Sequence, residues 1–163
     1  MKVGNGTMEP KHWDKESLMG LVKERLGGRK FIVVSNREPY VHTLEGSKVI
    51  WNRPVGGLTE ALNPIMRASA GTWIAHGSGS GDKLAVDRDN RVPVPPDSPE
   101  YAVRRVWLSE EEVRGYYLGF SNQGLWPLCH LVSTPPRFEE RDWQQYQKVN
   151  RLFAETVLKE IGD

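Results

Sequence analysis

The 163-residue sequence predicts an α/β fold in which helices alternate with the strands of a mostly parallel sheet. Three observations lead to this class. Residues 31–34 are a continuous apolar run, which is typical of a strand buried on both faces. Short apolar segments at 72–75 and 102–108 repeat that pattern further along the chain. Segments with helical spacing of apolar residues separate and follow these strands, as right-handed crossovers require.

The first predicted element is a short helix in an N-terminal extension. The first dozen residues are polar, contain Gly and Pro, and are expected to be loose. Apolar residues then follow helical spacing over residues 13–26, and Gly27 and Gly28 supply a stop. We therefore divide the chain into an extension with a short helix, residues 1–28, and a domain, residues 29–163.

A hairpin and a helix are predicted between the first two strands of the sheet. Residues 40–44 and 48–51 flank a polar turn at 45–47, which predicts a β-hairpin insertion. The Gly-Gly pair at 56–57 leads into a helix that Pro64 is expected to bend or interrupt.

The second half of the chain contains two loops and two helices. The glycine-rich residues 77–81 lack the third glycine of a dinucleotide fingerprint, so we predict a flexible loop that lines a pocket. Residues 91–96 are Pro-rich and are predicted to be irregular. Ser109 and Glu112 form a capping-box pattern that begins a helix. An amphipathic helix over 138–161, about 36 Å long at a rise of 1.5 Å per residue, should lie along the sheet.

Composition excludes several classes of function. Charged residues make up 26% and apolar residues 38%, as in globular proteins, and a net charge of +1 favours neither nucleic acid nor a membrane as partner. Cys129 is the only cysteine, so no internal disulfide can form, which fits a reducing compartment. No apolar run approaches the roughly 20 residues that span a bilayer. The N-terminus lacks the apolar core of a secretory signal, so the expected location is cytoplasmic.

Two segments carry residues that could bind an anion. Arg37 follows the carboxyl end of the first strand, where ligands bind in open α/β sheets, and a guanidinium can bind phosphate in bidentate fashion. The alternative is an ordinary surface arginine, and this alternative is favoured when Arg37 is considered without its neighbours. Gly56 and Gly57 precede a helix, so their backbone N–H groups could approach an anion closely. A tight turn is the alternative there.

A third segment, residues 116–130, combines aromatic side chains with Gly and Pro. Aromatic rings stack on sugar faces, and Tyr and Trp add a hydrogen bond. A core-packing segment explains the pattern equally well. No His-x-Glu or Cys-x-x-Cys motif indicates a metal, so neither a metal nor a cofactor is expected.

Taken in order, these segments resemble the start of the trehalose-6-phosphate synthases, the retaining glycosyltransferases of family 20. The resemblance covers roughly residues 30–160, and its most specific part is the Tyr-Tyr to Leu-Trp-Pro-Leu-x-His segment at 116–130. The supporting motifs are Val-Val-Ser-Asn-Arg at 33–37, Gly-Gly-Leu at 56–58, Trp-Ile at 73–74, Leu-Ser-Glu-Glu-Glu at 108–112 and Tyr-x-x-Val-Asn-x-x-Phe-Ala at 146–154.

The resemblance implies a fold and a reaction. Residues 29–163 would be part of the acceptor-side, Rossmann-like N-terminal domain of a GT-B type glycosyltransferase. The family transfers glucose from a nucleotide sugar, commonly UDP-glucose, to glucose 6-phosphate in trehalose biosynthesis. Transfer proceeds with retention and without a metal, and the leaving phosphate assists the attack.

The resemblance also implies roles for individual residues. Arg37 matches the arginine that holds the 6-phosphate of the acceptor, and Tyr117 and Trp126 match aromatic residues at the acceptor site. Gly56 and Gly57 match the loop whose backbone contacts the donor diphosphate.

Some positions depart from the family pattern. His76 stands where the family has a tryptophan at the acceptor site, which implies a pocket role for His76 and another sugar phosphate or polyol phosphate as acceptor. Leu118 replaces an asparagine. The chain ends before the family's His-Asp-Tyr-His segment, so we expect it to lack the donor-binding half, and a separately encoded C-terminal half is a candidate partner. The alternative is a non-catalytic module that binds a sugar phosphate or regulates a partner.

Overall fold

A computed structural model describes residues 14–130 and 133–162. The expectation that the first dozen residues are loose lies outside the described residues, as does position 13 of the first predicted helix. In chain order the elements are α1 (Lys15–Leu26), β1 (Ile32–Ser35), β2 (Val41–Glu45), β3 (Lys48–Asn52), α2 (Gly57–Ser69), β4 (Thr72–His76), α3 (Asp82–Ala85), β5 (Arg91–Val94), β6 (Tyr101–Val106), α4 (Glu110–Glu112), a π-helix (Val113–Leu125), α5 (Trp126–His130) and α6 (Glu140–Gly162).

The main sheet has the strand order β1-β4-β6-β5. The pairs β1/β4 and β4/β6 are parallel, which confirms the predicted α/β class. The central strand β4 is buried on both faces, since Trp73, Ile74 and Ala75 are each 0% exposed. Burial on both faces was also predicted for β1, and that prediction is wrong. Strand β1 lies at the edge of the sheet, and Val34 is 46% exposed.

The hairpin is confirmed, whereas the irregular segment at 91–96 is a wrong prediction. Strands β2 and β3 pair antiparallel in a separate two-stranded sheet, with Gly46 at a positive φ of 61° in the turn. Strand β5 (Arg91–Val94) pairs antiparallel with β6 and holds Pro93 opposite Ala102. An edge strand tolerates proline because the missing N–H is not needed by a second neighbour.

The first two helices begin and end close to the predicted positions. Helix α1 follows Asp14, whose carboxylate accepts from the N–H of Ser17, and it ends at Gly27 in the left-handed conformation. Helix α2 continues past Pro64 to Ser69, so the proline does not end it.

Helices pack on both faces of the main sheet. Side chains alternate along β4, so Trp73 and Ala75 face the core under α2, while Ile74 faces the core under α6. The first core is the larger and contains Tyr40, Met66, Trp73, Ala75, Val92, Val94, Tyr101 and Val103. The second contains Ile74, Val106, Val149 and Phe153.

The aromatic segment, residues 116–130, begins in a π-helix and ends in α5, and the sequence did not predict the π-helical geometry. The N–H groups of the π-helix reach one residue further back than in an α-helix, as in the bond from Trp126 N to Ser121 O at its end. The predicted capping box that opens this helical region is confirmed, with Ser109 and Glu112 bonding each other's backbone. Gly119 is buried against the Asp142 carboxylate of α6, so the two helices approach closely.

Candidate functional site

A cavity of about 300 Å³ opens beside the carboxyl ends of β1 and β4. In open α/β sheets this is the edge at which ligands bind. The cavity brings together three of the predicted site residues, Arg37, His76 and Tyr117. Its full lining is Asn36, Arg37, Glu38, Val41, Pro54, His76, Ser78, Val113, Tyr117 and Leu118.

Arg37 supplies the positive charge of this cavity. Two hydrogen bonds hold the turn that carries Arg37. Ser35 Oγ donates to the Arg37 carbonyl oxygen, and it accepts a hydrogen bond of 2.9 Å from Trp73 Nε1. The Arg37 side chain is exposed, and its guanidinium makes no hydrogen bond or ion pair with any residue in the described ranges. Its N–H groups are therefore available to an anion.

His76 is the last residue of β4 and lines the same cavity. The residue is half-buried, and its Nδ1 lies 3.2 Å from the carbonyl oxygen of Val106 on β6. This bond fixes the orientation of the imidazole ring at the cavity wall.

A buried ion cluster stands behind the cavity. Arg105 is 2% exposed, and its Nη1 pairs with Glu38, which is itself 3% exposed. Its Nη2 pairs with the fully buried Asp82 at 3.0 Å and donates to the Tyr40 carbonyl at 2.7 Å. Burial lowers the pKa of Arg105 to about 9, so the guanidinium remains charged at neutral pH.

The ion cluster also holds the glycine-rich loop and the hairpin in place. Glu38 Oε1 accepts from the backbone N–H of Ser78 at 3.0 Å and from its hydroxyl at 2.7 Å. Asp82 Oδ2 accepts from the N–H of Gly79 at 2.7 Å, and Asp82 Oδ1 accepts from the N–H of His42 in the hairpin at 2.9 Å. The glycine-rich loop lines a pocket, as predicted, but these bonds hold it in place.

The aromatic segment divides between the core and the surface. Tyr116 and Phe120 pack on α6, with ring centroids 5.9 Å and 4.7 Å from that of Tyr146, so the core-packing interpretation holds for them. Tyr117 instead lines the cavity beside Arg37. One helix therefore contributes to both the core and the site.

Three other predicted site residues do not line this cavity. Trp126 stacks on His130 with a centroid distance of 4.6 Å and lines a separate cavity of about 640 Å³. Gly56 is the N-cap of α2, and Gly57 is its first residue. Neither glycine lines the cavity, although Pro54, two positions before Gly56, does. The roles predicted for these three residues stay predictions.

Three polar residues of the lining were not among the predicted site residues, although the loop that carries Ser78 was expected to line a pocket. Asn36 has a buried Oδ1 without a hydrogen-bond partner among the described residues, and Glu38 and Ser78 form the hydrogen-bonded pair described above. Asn36 and Glu38 flank Arg37 in the chain, and this adjacency could have identified them as residues of the same site. Ser78 joins them only through the contact with Glu38, which no spacing in the sequence predicts.

Neither a metal cluster nor a membrane span occurs in the part of the chain that the structure describes. No three His, Cys, Asp or Glu residues there are grouped so that they could hold a metal ion. No helix within 14–130 and 133–162 is both long and apolar enough to cross a bilayer.

Comparison with solved structures supports the fold. A trehalose-6-phosphate synthase, OtsA, superposes with a TM-score of 0.56 at 26% identity over 80% of this chain and 26% of that one. A structure from E. coli, described as trehalose-6-phosphate bound with UDP-2-fluoro glucose, gives a TM-score of 0.53 at 27% identity over 78% of this chain and 24% of that one.

Sequence relatives point in the same direction. The trehalose-6-phosphate synthase of Mycobacterium leprae is 38% identical over 137 residues, which are 83% of this chain and 27% of that protein. The enzyme of the same name from Mycobacterium avium is 39% identical over 82% of this chain and 26% of its own length. The chain thus spans about a quarter of the length of these relatives. The sequence model of glycosyltransferase family 20 matches residues 29–163, and the chain belongs to that family.

Proposed function

We propose that this chain is the acceptor-binding segment of a trehalose-6-phosphate-synthase-like glycosyltransferase. The enzyme would transfer glucose from a nucleotide sugar such as UDP-glucose to a sugar phosphate such as glucose 6-phosphate. The observation that carries the proposal is the guanidinium of Arg37, which has no partner among the described residues and lines a cavity at the carboxyl ends of β1 and β4.

Each cavity residue has a physical role in this proposal. The Arg37 guanidinium binds the phosphate of the acceptor through charge-assisted hydrogen bonds. The ring of Tyr117 packs against the sugar, and its hydroxyl adds a hydrogen bond. Binding of this kind orients the attacking hydroxyl, and orientation alone supplies a large part of a transferase's rate enhancement.

The donor side of the reaction requires further groups. The backbone N–H groups at Gly56 and Gly57 would contact the donor diphosphate at the start of α2, where the helix dipole favours an anion. Trp126 would complete the acceptor site. The remaining donor contacts would come from a C-terminal half, which could be encoded separately. The reaction would need no metal. It would take place in the cytoplasm.

A calorimetric titration with glucose 6-phosphate tests the proposal through Arg37→Ala. Loss of charge-assisted hydrogen bonds should weaken binding by about 10- to 100-fold. Arg151→Ala is the matched control, because Arg151 is an exposed arginine on α6 away from the cavity. Equal affinity of parent and Arg37→Ala for glucose 6-phosphate would remove Arg37 from the site and refute the proposal.

The alternative, a non-catalytic sugar-phosphate-binding module, shares the cavity and differs in the donor. Titration with UDP-glucose, followed by measurement of UDP release in the presence of glucose 6-phosphate, separates the two. Release of UDP that depends on both the sugar phosphate and a C-terminal half supports the transferase. Binding of glucose 6-phosphate with no UDP release under those conditions supports the module.

A further inference from the structure

The cavity that Arg37 lines also carries groups that accept hydrogen bonds. His76 is the first of them. A carbonyl oxygen can only accept, so the bond between His76 Nδ1 and the Val106 carbonyl requires that Nδ1 carry the proton. In the neutral imidazole Nε2 then holds a lone pair. No residue in the described ranges bonds Nε2, and His76 lines the cavity.

Ser78 is the second acceptor. Glu38 pairs with the buried Arg105, so its carboxylate is ionised and can only accept hydrogen bonds. The 2.7 Å contact between Ser78 Oγ and Glu38 Oε1 therefore uses the hydroxyl proton of Ser78. The lone pairs of Ser78 Oγ remain for another donor.

The complementary ligand follows from these groups. Arg37 offers only donors and a positive charge, whereas His76 Nε2 and Ser78 Oγ offer only lone pairs. A ligand that satisfies both sides must carry an anion and, close to it, groups that donate hydrogen bonds, and the hydroxyls of a sugar or polyol phosphate are such groups. A phosphate ester without such donors would leave these acceptors unpaired, and unpaired buried polar groups weaken binding.

We propose that His76, assisted by Ser78, is a specificity-determining residue that accepts hydrogen bonds from hydroxyls of the acceptor. The site thereby selects phosphate esters of sugars or polyols over other phosphate compounds of similar charge. This inference rests on the proposed function, because it assumes that the phosphate lies on Arg37.

Two substitutions of His76 separate its two ring nitrogens. In His76→Asn the side-chain amide nitrogen can take the place of Nδ1 toward Val106, but nothing reaches the position of Nε2. In His76→Gln the amide oxygen can reach that position. Calorimetric titration of the parent and both variants with glucose 6-phosphate and with inorganic phosphate measures the contribution of the hydroxyls.

The expected result is a selective loss. His76→Asn should bind glucose 6-phosphate about 2- to 10-fold more weakly, as for one neutral hydrogen bond, with unchanged binding of inorganic phosphate. His76→Gln should retain most of the preference for the sugar phosphate. Loss of the same factor for both ligands, or an unchanged ratio in His76→Asn, would overturn the inference.

Arg37→Ala distinguishes a failure of this inference from a failure of the proposed function. That variant should lose affinity for inorganic phosphate and glucose 6-phosphate alike; if it loses neither, the proposed function itself fails. Long-range ¹H–¹⁵N correlation spectra of the parent give a readout independent of any substitution. They should show a proton on Nδ1 of His76 and a shift of Nε2 with glucose 6-phosphate only. A proton on Nε2 in the neutral imidazole would overturn the inference.

Discussion

Glu160 joins the end of α6 to three strands of the main sheet. The residue is 4% exposed, and its Oε1 accepts from Thr72 Oγ1 on β4 at 2.7 Å. Its Oε2 accepts from Arg104 Nη1 on β6 and from Arg91 Nη2 on β5, both at 2.9 Å. Because one carboxylate serves β4, β5 and β6 at once, its charge should matter to the stability of the whole sheet.

The substitution Glu160→Gln keeps the shape of this side chain and removes its charge. The Arg104 side chain is 9% exposed, so its charge-assisted bond to Glu160 contributes about 1.5–3 kcal/mol. The Arg91 side chain is 28% exposed, and solvent screening limits its contribution to about 1 kcal/mol or less. We expect the variant to lose about 1.5–4 kcal/mol of its free energy of unfolding.

Urea unfolding followed by circular dichroism measures this loss. Glu155→Gln is the matched control, because Glu155 is an exposed glutamate on the same helix. Exposed substitutions away from such contacts change stability by less than about 0.5 kcal/mol. A free energy of unfolding for Glu160→Gln within that range of the parent would refute the reasoning.

The same pair of proteins should differ in its response to acid. Burial by itself raises the pKa of Glu160, but hydrogen bonds from Thr72, Arg91 and Arg104 outweigh it and lower the pKa below its ordinary value. A carboxyl group with a lowered folded-state pKa stabilises the protein above its unfolded-state pKa, and this contribution is lost as the pH falls through the folded-state pKa. The difference in free energy of unfolding between the parent and Glu160→Gln should therefore shrink below about pH 4. A difference that stays constant as the pH falls would contradict this role of the Glu160 charge.

Two further substitutions test the packing of the loop and the helix cap. Gly79→Ala would place a Cβ against the carbonyl oxygen of His42, and we expect a loss of about 1–3 kcal/mol in urea unfolding. Gly20→Ala is its control, because a Cβ there meets nothing within 4 Å and should stabilise α1 by about 0.5–1 kcal/mol; equal effects of the two would be inconsistent with close packing of the loop. Ser109→Ala removes the cap bonded to the N–H of Glu112 and should lower stability by about 1 kcal/mol, and an unchanged thermal midpoint would count against the cap.

Local patterns account for the parts of the fold that the sequence predicted. The apolar run of β4, the turn at Gly46 and the cap at Ser109 each depend on residues within a few positions of one another. Hydrophobic periodicity and turn-forming residues can be recognised within such short segments. These elements were therefore predicted close to their observed bounds.

The failures depend on neighbours that are distant in the chain. Proline in β5 indicated an irregular segment, but the strand is stabilised by its pairing with β6, which residue types in β5 alone do not reveal. The burial of β1 was misjudged because its apolar run does not say whether a second strand lies beside it. The π-helix packs closely against α6 at Gly119, and an aromatic and glycine pattern does not predict its hydrogen bonding.

The candidate site shows the same division. Arg37 and His76 lie together because parallel strands end at a common edge, which the predicted topology already implied. Ser78 was missed because its contact with Glu38 spans 40 positions of the chain. Trp126 belongs to the same motif as Tyr117 but lines a different cavity, since the helix carries it away from the strand ends.

The charge of the cavity follows from the buried ion cluster behind it. Glu38 also lines the cavity, and its negative charge would oppose that of Arg37 if it were unpaired. Arg105 pairs with both Glu38 and Asp82 inside the protein, so this one guanidinium reduces the negative charge of Glu38 but is shared between two carboxylates. Among the described residues Arg37 has no ion-pair partner, so it would supply the positive charge for the anion that we propose, although the chain has a net charge of only +1. The proposed anion binding would therefore be a local property, which depends on Arg37 in the lining and on a buried arginine that does not itself line the cavity.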